Sequence, residues 1–154
     1  MRIALFEPDI AANVGTIIRL GACMGVAIDI IEPCGFPFGD ASLRRAGLDY
    51  LPQASVTRHD SWRAFQANRN GRLILATTKA AQSYAEFRYS EGDTLLFGRE
   101  SAGVTLEVTA AADADVRIPM AAGMRSLNVA VAAGMILGEA LRQIGGLPAT
   151  GVKK

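Results

Sequence analysis

Short apolar runs recur along this chain. Each is five residues or fewer, and each closes on a polar or turn-forming residue: Arg2–Phe6, Ala27–Ile31, 73–77, Thr94–Phe97 and 116–118. Runs this short and unbroken read as strands buried on both faces, as in a parallel sheet. Helical patterns lie between them. Residues 13–24 place Val14, Ile17, Ile18 and Cys23 or Met24 on one apolar side. Residues 60–67 form a short helix capped by Asp60 or Ser61, and residues 126–144 a long one with Ser126 as its cap. Strands alternating with helices give an α/β fold, a mostly parallel sheet flanked by helices, with ligands expected at the strand ends. Residues 1–144 read as a single domain. Residues 32–51 are a polar Gly-, Pro- and Arg-rich insertion, and 145–154 a flexible tail.

Composition narrows the function classes. Half of the 154 residues are hydrophobic and 20% are charged, which supports a packed core and excludes general disorder. The longest apolar stretch, 127–137, is well short of the ~18 residues that span a bilayer. Glu7 and Asp9 interrupt any leader pattern, so the expectation is a soluble cytoplasmic protein without a membrane partner. Cys23, Cys34 and His59 are too few for a disulfide framework or a His/Cys metal site, and no metal is expected. The net charge is +1, but thirteen of the sixteen basic residues are arginine. Arginine suits planar recognition of phosphate, and an RNA partner would require those residues to cluster on one face.

Glycine and polar side chains gather at three places. Just after the first strand, Asn13 stands as a helix cap, Gly15 permits close backbone approach, and Arg19 follows one turn later. After the fourth strand, Gly98, Arg99, Glu100, Ser101 and Gly103 make a Gly-rich turn with one acid and one base. Glycine there lets a ligand touch backbone, and Glu100 can accept from a ligand or from loop amides. After the fifth strand, Ile118, Pro119 and Met120 lead to Arg125, Ser126, Leu127 and Asn128 at the start of the last helix. Asn128 in a first helical turn implies a side-chain hydrogen bond. Ala130, Gly134 and Gly138 then recur every four residues. Two mid-helix glycines cost about 1 kcal/mol each relative to Ala, and the stripe suits close packing within the domain or across a subunit interface.

Taken in order, the patterns N-x-G-x-x-x-R (Asn13, Gly15, Arg19), F-G-x-E-x-x-G (Phe97, Gly98, Glu100, Gly103) and I-P-M followed by S-L-N (Ile118, Pro119, Met120, Ser126, Leu127, Asn128) resemble the SPOUT superfamily of RNA methyltransferases. More narrowly, they resemble its TrmH-type 2′-O-ribose methyltransferases. The segment 31–50 and residues 76–79 are similar to the small single-domain members. Those members methylate the wobble ribose (cytidine or 5-carboxymethylaminomethyluridine 34) of leucine tRNAs. The likeness spans residues 2 to about 143.

The resemblance implies a sheet whose C-terminal part forms a deep trefoil knot, a feature no sequence pattern would suggest. It implies S-adenosylmethionine as cofactor, tRNA as substrate and a homodimer built on the first and last helices. Ala76, Thr77, Gly98, Glu100, Gly103, Ile118, Met120, Ser126 and Leu127 would hold the cofactor. Arg19 would be catalytic, helped by Asn13, Glu100, Ser126 and Asn128. A guanidinium stays protonated in proteins, so the role of Arg19 is open between general base and electrostatic clamp. Arg44, Arg45, Arg99 and Arg125 would meet RNA phosphates, with Tyr50 and Phe36 available for stacking on a base. His59 matches none of the patterns. Ala11, Ala12 and residues 121–124 depart from the usual pattern, which bears on substrate choice rather than on methyl transfer. Two other outcomes stand beside this one: a related methyltransferase acting on another tRNA position or on ribosomal RNA, and a nucleotide-binding module without turnover.

Overall fold

In the computed structural model, which describes residues 1–37, 39 and 53–149, six strands pair in parallel with the spatial order β3-β2-β1-β5-β4-β6. These are β1 (Arg2–Phe6), β2 (Ala27–Ile31), β3 (Val56–His59), β4 (Leu73–Ala76), β5 (Thr94–Phe97) and β6 (Ala114–Val116). Among the described residues four helices accompany them: α1 (Ala11–Met24), α2 (Trp62–Asn68), α3 (Leu106–Ala111) and α4 (Val129–Ile144). The α/β class with a parallel sheet is therefore as the sequence indicates. Residues 150–154 of the expected tail, and Arg44, Arg45 and Tyr50, lie outside the described residues.

Strand alternation sorts the core into two layers. Ile3, Leu5, Ile28, Ile30, Ile74, Leu95 and Phe97 face one way and pack with Val14, Ile17 and Ile18 of α1 and Ile136, Leu137 and Leu141 of α4. Ala4, Phe6, Ile31, Leu73, Leu75 and Leu96 face the other way, against Trp62 and Phe65 of α2 and Val108 of α3. Both faces of β1 are covered, which is why its side chains read as a continuous apolar run. Burying each of these Ile or Leu side chains contributes about 1.5–3 kcal/mol.

Several boundaries move from their expected places. The strand expected at 116–118 is Ala114–Val116, and α3, at six residues, and β3, at four, are too short to show a period. On α1 it is Met24 that packs on the core, while Cys23 is exposed. Ser61 caps α2 by accepting from Ala64 N–H at 3.2 Å. Two cap assignments are corrected. Asn13 does not cap α1, whose first turn begins earlier, at Ala11, with Ile10 as N-cap. Ser126 does not cap the last helix: α4 starts at Val129, and Asn128 Oδ1 accepts from Ala130 N–H at 2.8 Å and Val131 N–H at 3.3 Å. The Asn therefore sits at the N-cap, where its short acceptor satisfies otherwise unpaired amides, and not inside the first turn.

Candidate functional site

The strand order reverses at the centre of the sheet. The chain runs outward from β1 to β2 and β3, then crosses to the other side for β4. The crevice beyond the strands' carboxyl ends at such a point is where open α/β sheets bind ligands. A cavity of about 480 Å³ occupies it, a size suited to a cofactor-sized molecule. Its walls come from the segments after β1 (Ile10, Asn13), β4 (Ala76, Thr77, Thr78), β5 (Gly98, Arg99, Glu100, Gly103) and β6 (Ile118, Met120, Ser126, Leu127, Asn128). Every residue that the sequence assigns to the cofactor lines this one cavity. Phe97 of the second motif adds to an apolar floor, together with Val116, Val129, Ala132 and Ile136, which the motifs do not single out.

The turn after β5 explains its glycines. Arg99 and Gly103 exchange two backbone hydrogen bonds, at 2.9 and 2.8 Å. Gly103 has φ of 69°, a left-handed conformation. A Cβ on Gly98 would lie 2.6 Å from the carbonyl carbon of Gly103. Only a residue without a side chain lets the two backbones close the turn against the cavity.

A polar chain then ties three elements together. Asn128 Nδ2 donates to Asn13 Oδ1 at 3.0 Å, and Asn13 Nδ2 donates to Glu100 Oε1 at 2.9 Å. Asp9 N–H donates to Glu100 Oε2 at 2.9 Å. The chain begins at backbone donors of α4 and ends at a backbone donor after β1, and neither end can reverse. Both amide orientations follow from those fixed ends. Glu100, in the middle, must accept on both sides, and only a carboxylate does so. This accounts for Asn13 inside the first turn of α1: it relays hydrogen bonds and caps nothing.

The other predicted residues stand outside this chain of hydrogen bonds, although Arg99 also walls the cavity. Arg19 is exposed on α1 and is not among the residues lining the cavity. Gly15 is buried in α1. Arg99 directs its guanidinium at Glu7 (3.1 Å) and Asp9 (2.9 Å), and its pKa rises above the usual arginine value, chiefly through the hydrogen bond it donates to Asp9. Arg125 is exposed, one residue before Ser126 of the cavity wall. Phe36 packs against the core. His59 lies on edge strand β3, its Nε2 2.8 Å from Asp29 Oδ1, and Asp29 also receives Arg2 at 2.6 and 2.9 Å. It is a buried histidine satisfied by an acid, outside the cavity. Glu7 and Asp9 enter the sequence reading only as charges interrupting an apolar start. Their position directly after the first strand, facing the Gly-rich turn across the switch point, is the signal that marks them.

Among the described residues no group of three or more His, Cys, Asp or Glu is placed to hold a metal ion, and no helix is long and apolar enough to cross a membrane. Residues 1–138 match the SpoU rRNA Methylase family. A tRNA (cytidine(34)-2′-O)-methyltransferase of Ancylobacter novellus is 53% identical over 98% of both chains. A solved structure described as giving insights into the 2-OH methylation of C/U34 on tRNA superposes with a TM-score of 0.89, at 39% identity, covering 94% of this chain and 96% of that one. The SpoU methyltransferase AviRb from Streptomyces viridochromogenes, in complex with the cofactor AdoMet, superposes with a TM-score of 0.82 at 26% identity, covering 93% of this chain and 60% of that one. With a match over residues 1–138 and residues of all three motifs lining one cavity, this chain belongs to the SpoU rRNA Methylase family.

Proposed function

We propose that this chain is an S-adenosylmethionine-dependent tRNA 2′-O-ribose methyltransferase acting on the wobble nucleotide (cytidine or 5-carboxymethylaminomethyluridine 34) of leucine tRNAs. The observation that carries this reading is the cavity at the switch point, walled by residues of all three motifs. Full-length similarity to a tRNA (cytidine(34)-2′-O)-methyltransferase supports the substrate. The protein works as one methyltransferase domain over residues 1–144, in the cytoplasm where tRNA is found, and its C-terminal part carries the knot that the family implies.

The cavity's chemistry suits the cofactor. Gly98, Glu100, Gly103, Ser126 and Asn128 border an apolar floor, the usual mix of many apolar contacts and a few placed polar groups. When bound, S-adenosylmethionine supplies a methyl group made electrophilic by its sulfonium. The protein's task is alignment of the ribose oxygen and relief of the charge that develops on it. Asn13, fixed from both sides by Asn128 and Glu100, presents a rigid polar surface at the cavity mouth. Arg19 acts as a cation that meets the oxygen as its proton departs, or holds the adjoining phosphate.

A homodimer completes the site. Val131 and Met135 stand exposed on α4, and a Cβ at Gly134 or Gly138 would meet nothing within 4 Å. Ile10 and Leu127, at the cavity's mouth, are exposed as well. An open face of small and apolar residues beside the cavity suits close approach of a second copy, and Arg19, exposed on α1, then acts at that copy's cavity. Arg44, Arg45 and Arg125 supply phosphate contacts.

The test is methyl transfer from labelled S-adenosylmethionine to bulk tRNA from a strain lacking this activity, with the labelled nucleotide mapped. The expected product is a 2′-O-methyl at the wobble position of leucine tRNA. Label elsewhere in tRNA or in ribosomal RNA would overturn the substrate. No transfer to either RNA would make the chain a binding module.

A further inference from the structure

Asp9 touches three consecutive residues of the turn that walls the cavity, although it does not line the cavity itself. Its Oδ1 accepts from Arg99 Nη2 at 2.9 Å. Its Oδ2 accepts from Ser101 N–H at 3.1 Å and from Ser101 Oγ–H at 2.5 Å. Its own N–H donates to Glu100 Oε2 at 2.9 Å. One residue after β1 therefore fixes Arg99, Glu100 and Ser101 together.

The surroundings hold Asp9 in turn. Glu7 takes the other side of Arg99 and has φ of 44°, a conformation uncommon outside glycine. Residues held in sparsely populated backbone regions persist where their surroundings over-determine them. Here Glu7 N–H bonds Ile31 O at 2.8 Å, and Gly35 N–H bonds Pro8 O at 2.9 Å. A Cβ on Gly35 would stand 2.9 Å from Asp9 Oδ1 and 3.0 Å from its Cα, so the segment after β2 is pressed against the carboxylate. Ser101 and Arg99 also draw the Asp9 carboxyl below its usual range, so it is ionised at neutral pH.

We propose that Asp9 is a positioning residue for the cofactor: by clamping residues 99–101 onto the segment after β1 it presets the cavity wall that S-adenosylmethionine meets. The inference rests on the function proposed above. Arg99 accordingly serves the clamp, between two carboxylates, and not an RNA phosphate. Without the clamp the turn must be ordered during binding, and that ordering weakens affinity with no loss of a direct ligand contact.

The test uses full-length wild type, Asp9→Ala, Arg99→Ala and the double variant, with Ser101→Ala as a milder change that removes one hydroxyl bond. Calorimetric titration with S-adenosylmethionine gives Kd, transfer to tRNA gives KM and kcat, and thermal unfolding reports the fold. Asp9→Ala is expected to raise Kd and the cofactor KM roughly tenfold, the scale of losing charge-assisted hydrogen bonds, while kcat at saturating cofactor stays within about threefold. Ser101→Ala should raise Kd by about threefold, which keeps the test decisive should Asp9→Ala fail to fold. Arg99→Ala added to Asp9→Ala should cost little more than Asp9→Ala alone. A folded Asp9→Ala with wild-type Kd, or one that loses kcat with KM unchanged, overturns the positioning role. Wild type that neither binds S-adenosylmethionine nor methylates RNA overturns the proposed function, and this role with it.

Discussion

Glu100→Gln changes one atom's chemistry and leaves shape almost untouched, so it isolates the polarity of the hydrogen-bond chain. Glu100 receives Asn13 Nδ2 on one oxygen and Asp9 N–H on the other, both at 2.9 Å. A glutamine must turn its NH₂ toward one of those donors. Turning Asn13 to present its oxygen moves the conflict to Asn128, and turning Asn128 moves it to the amides of Ala130 and Val131, which cannot turn. One donor–donor contact therefore survives every rearrangement. Hydrogen bonds to charged groups are worth about 1.5–3 kcal/mol net, so Glu100→Gln should lower unfolding free energy by about that amount in urea titrations. The same logic predicts a rescue. Asn13→Asp in the Glu100→Gln background lets the introduced amide donate to a carboxylate at position 13, which also accepts from Asn128. The double variant should recover at least half of the loss. Asn13→Asp alone faces Glu100 with a second carboxylate and should be destabilised at neutral pH. Glu100→Gln with wild-type stability, or a double variant no more stable than Glu100→Gln, would refute the fixed polarity of the chain.

Other expectations concern single elements. Asn128→Ala removes the cap of α4 and the donor to Asn13; a loss of about 1–2 kcal/mol, a fall in melting temperature of about 2–8 °C, should be seen by circular dichroism. Gly98→Ala places a methyl 2.6 Å from the Gly103 carbonyl carbon, so the turn must open; S-adenosylmethionine affinity should drop at least roughly fivefold by calorimetry, since forcing an extra methyl into a packed site costs about 1–3 kcal/mol. Burial raises the Cys34 thiol to about 11, with Glu32 adding to the effect. A raised acid pKa means less thiolate at a given pH, so Cys34 should stay unalkylated by iodoacetamide at pH 8 while exposed Cys23 is labelled, as read by mass spectrometry. Labelling of Cys34 should rise as pH approaches 11.

The parts of this fold that are legible from sequence share one property: a long or doubly buried apolar pattern. β1, β2 and β5 carry unbroken runs and appear where those runs predict. Edge strand β3 has polar Thr57 and Arg58 exposed and only a half-buried Val56 to mark it, so its pattern is too sparse to read. The helix starts escape for a different reason. Asn13 and Ser126 have the chemistry of caps, but tertiary hydrogen bonds claim Asn13, and Asn128 has the backbone geometry that capping needs. The motif residues are legible because each follows a strand, and a parallel sheet brings all strand ends to one edge. Asp9 and Glu7 are not, because their value lies in facing Arg99, which is about ninety positions away in sequence. Arg19 illustrates the converse: its motif is plain in sequence, yet one copy of the chain does not bring it to the cavity wall.

Two proposals meet in one experiment: this cavity holds S-adenosylmethionine, and Arg19 acts at the ribose oxygen or its adjoining phosphate, not on the cofactor. Single-turnover methyl transfer to leucine tRNA, wild type beside Arg19→Ala, with cofactor Kd measured on the same preparations, tests them most directly. The expected result is transfer by wild type at the wobble 2′-oxygen, a loss of about 10²-fold or more in Arg19→Ala, and a cofactor Kd within about twofold of wild type. Undiminished transfer by Arg19→Ala, or a variant that fails only because it no longer binds S-adenosylmethionine, would contradict the role of Arg19.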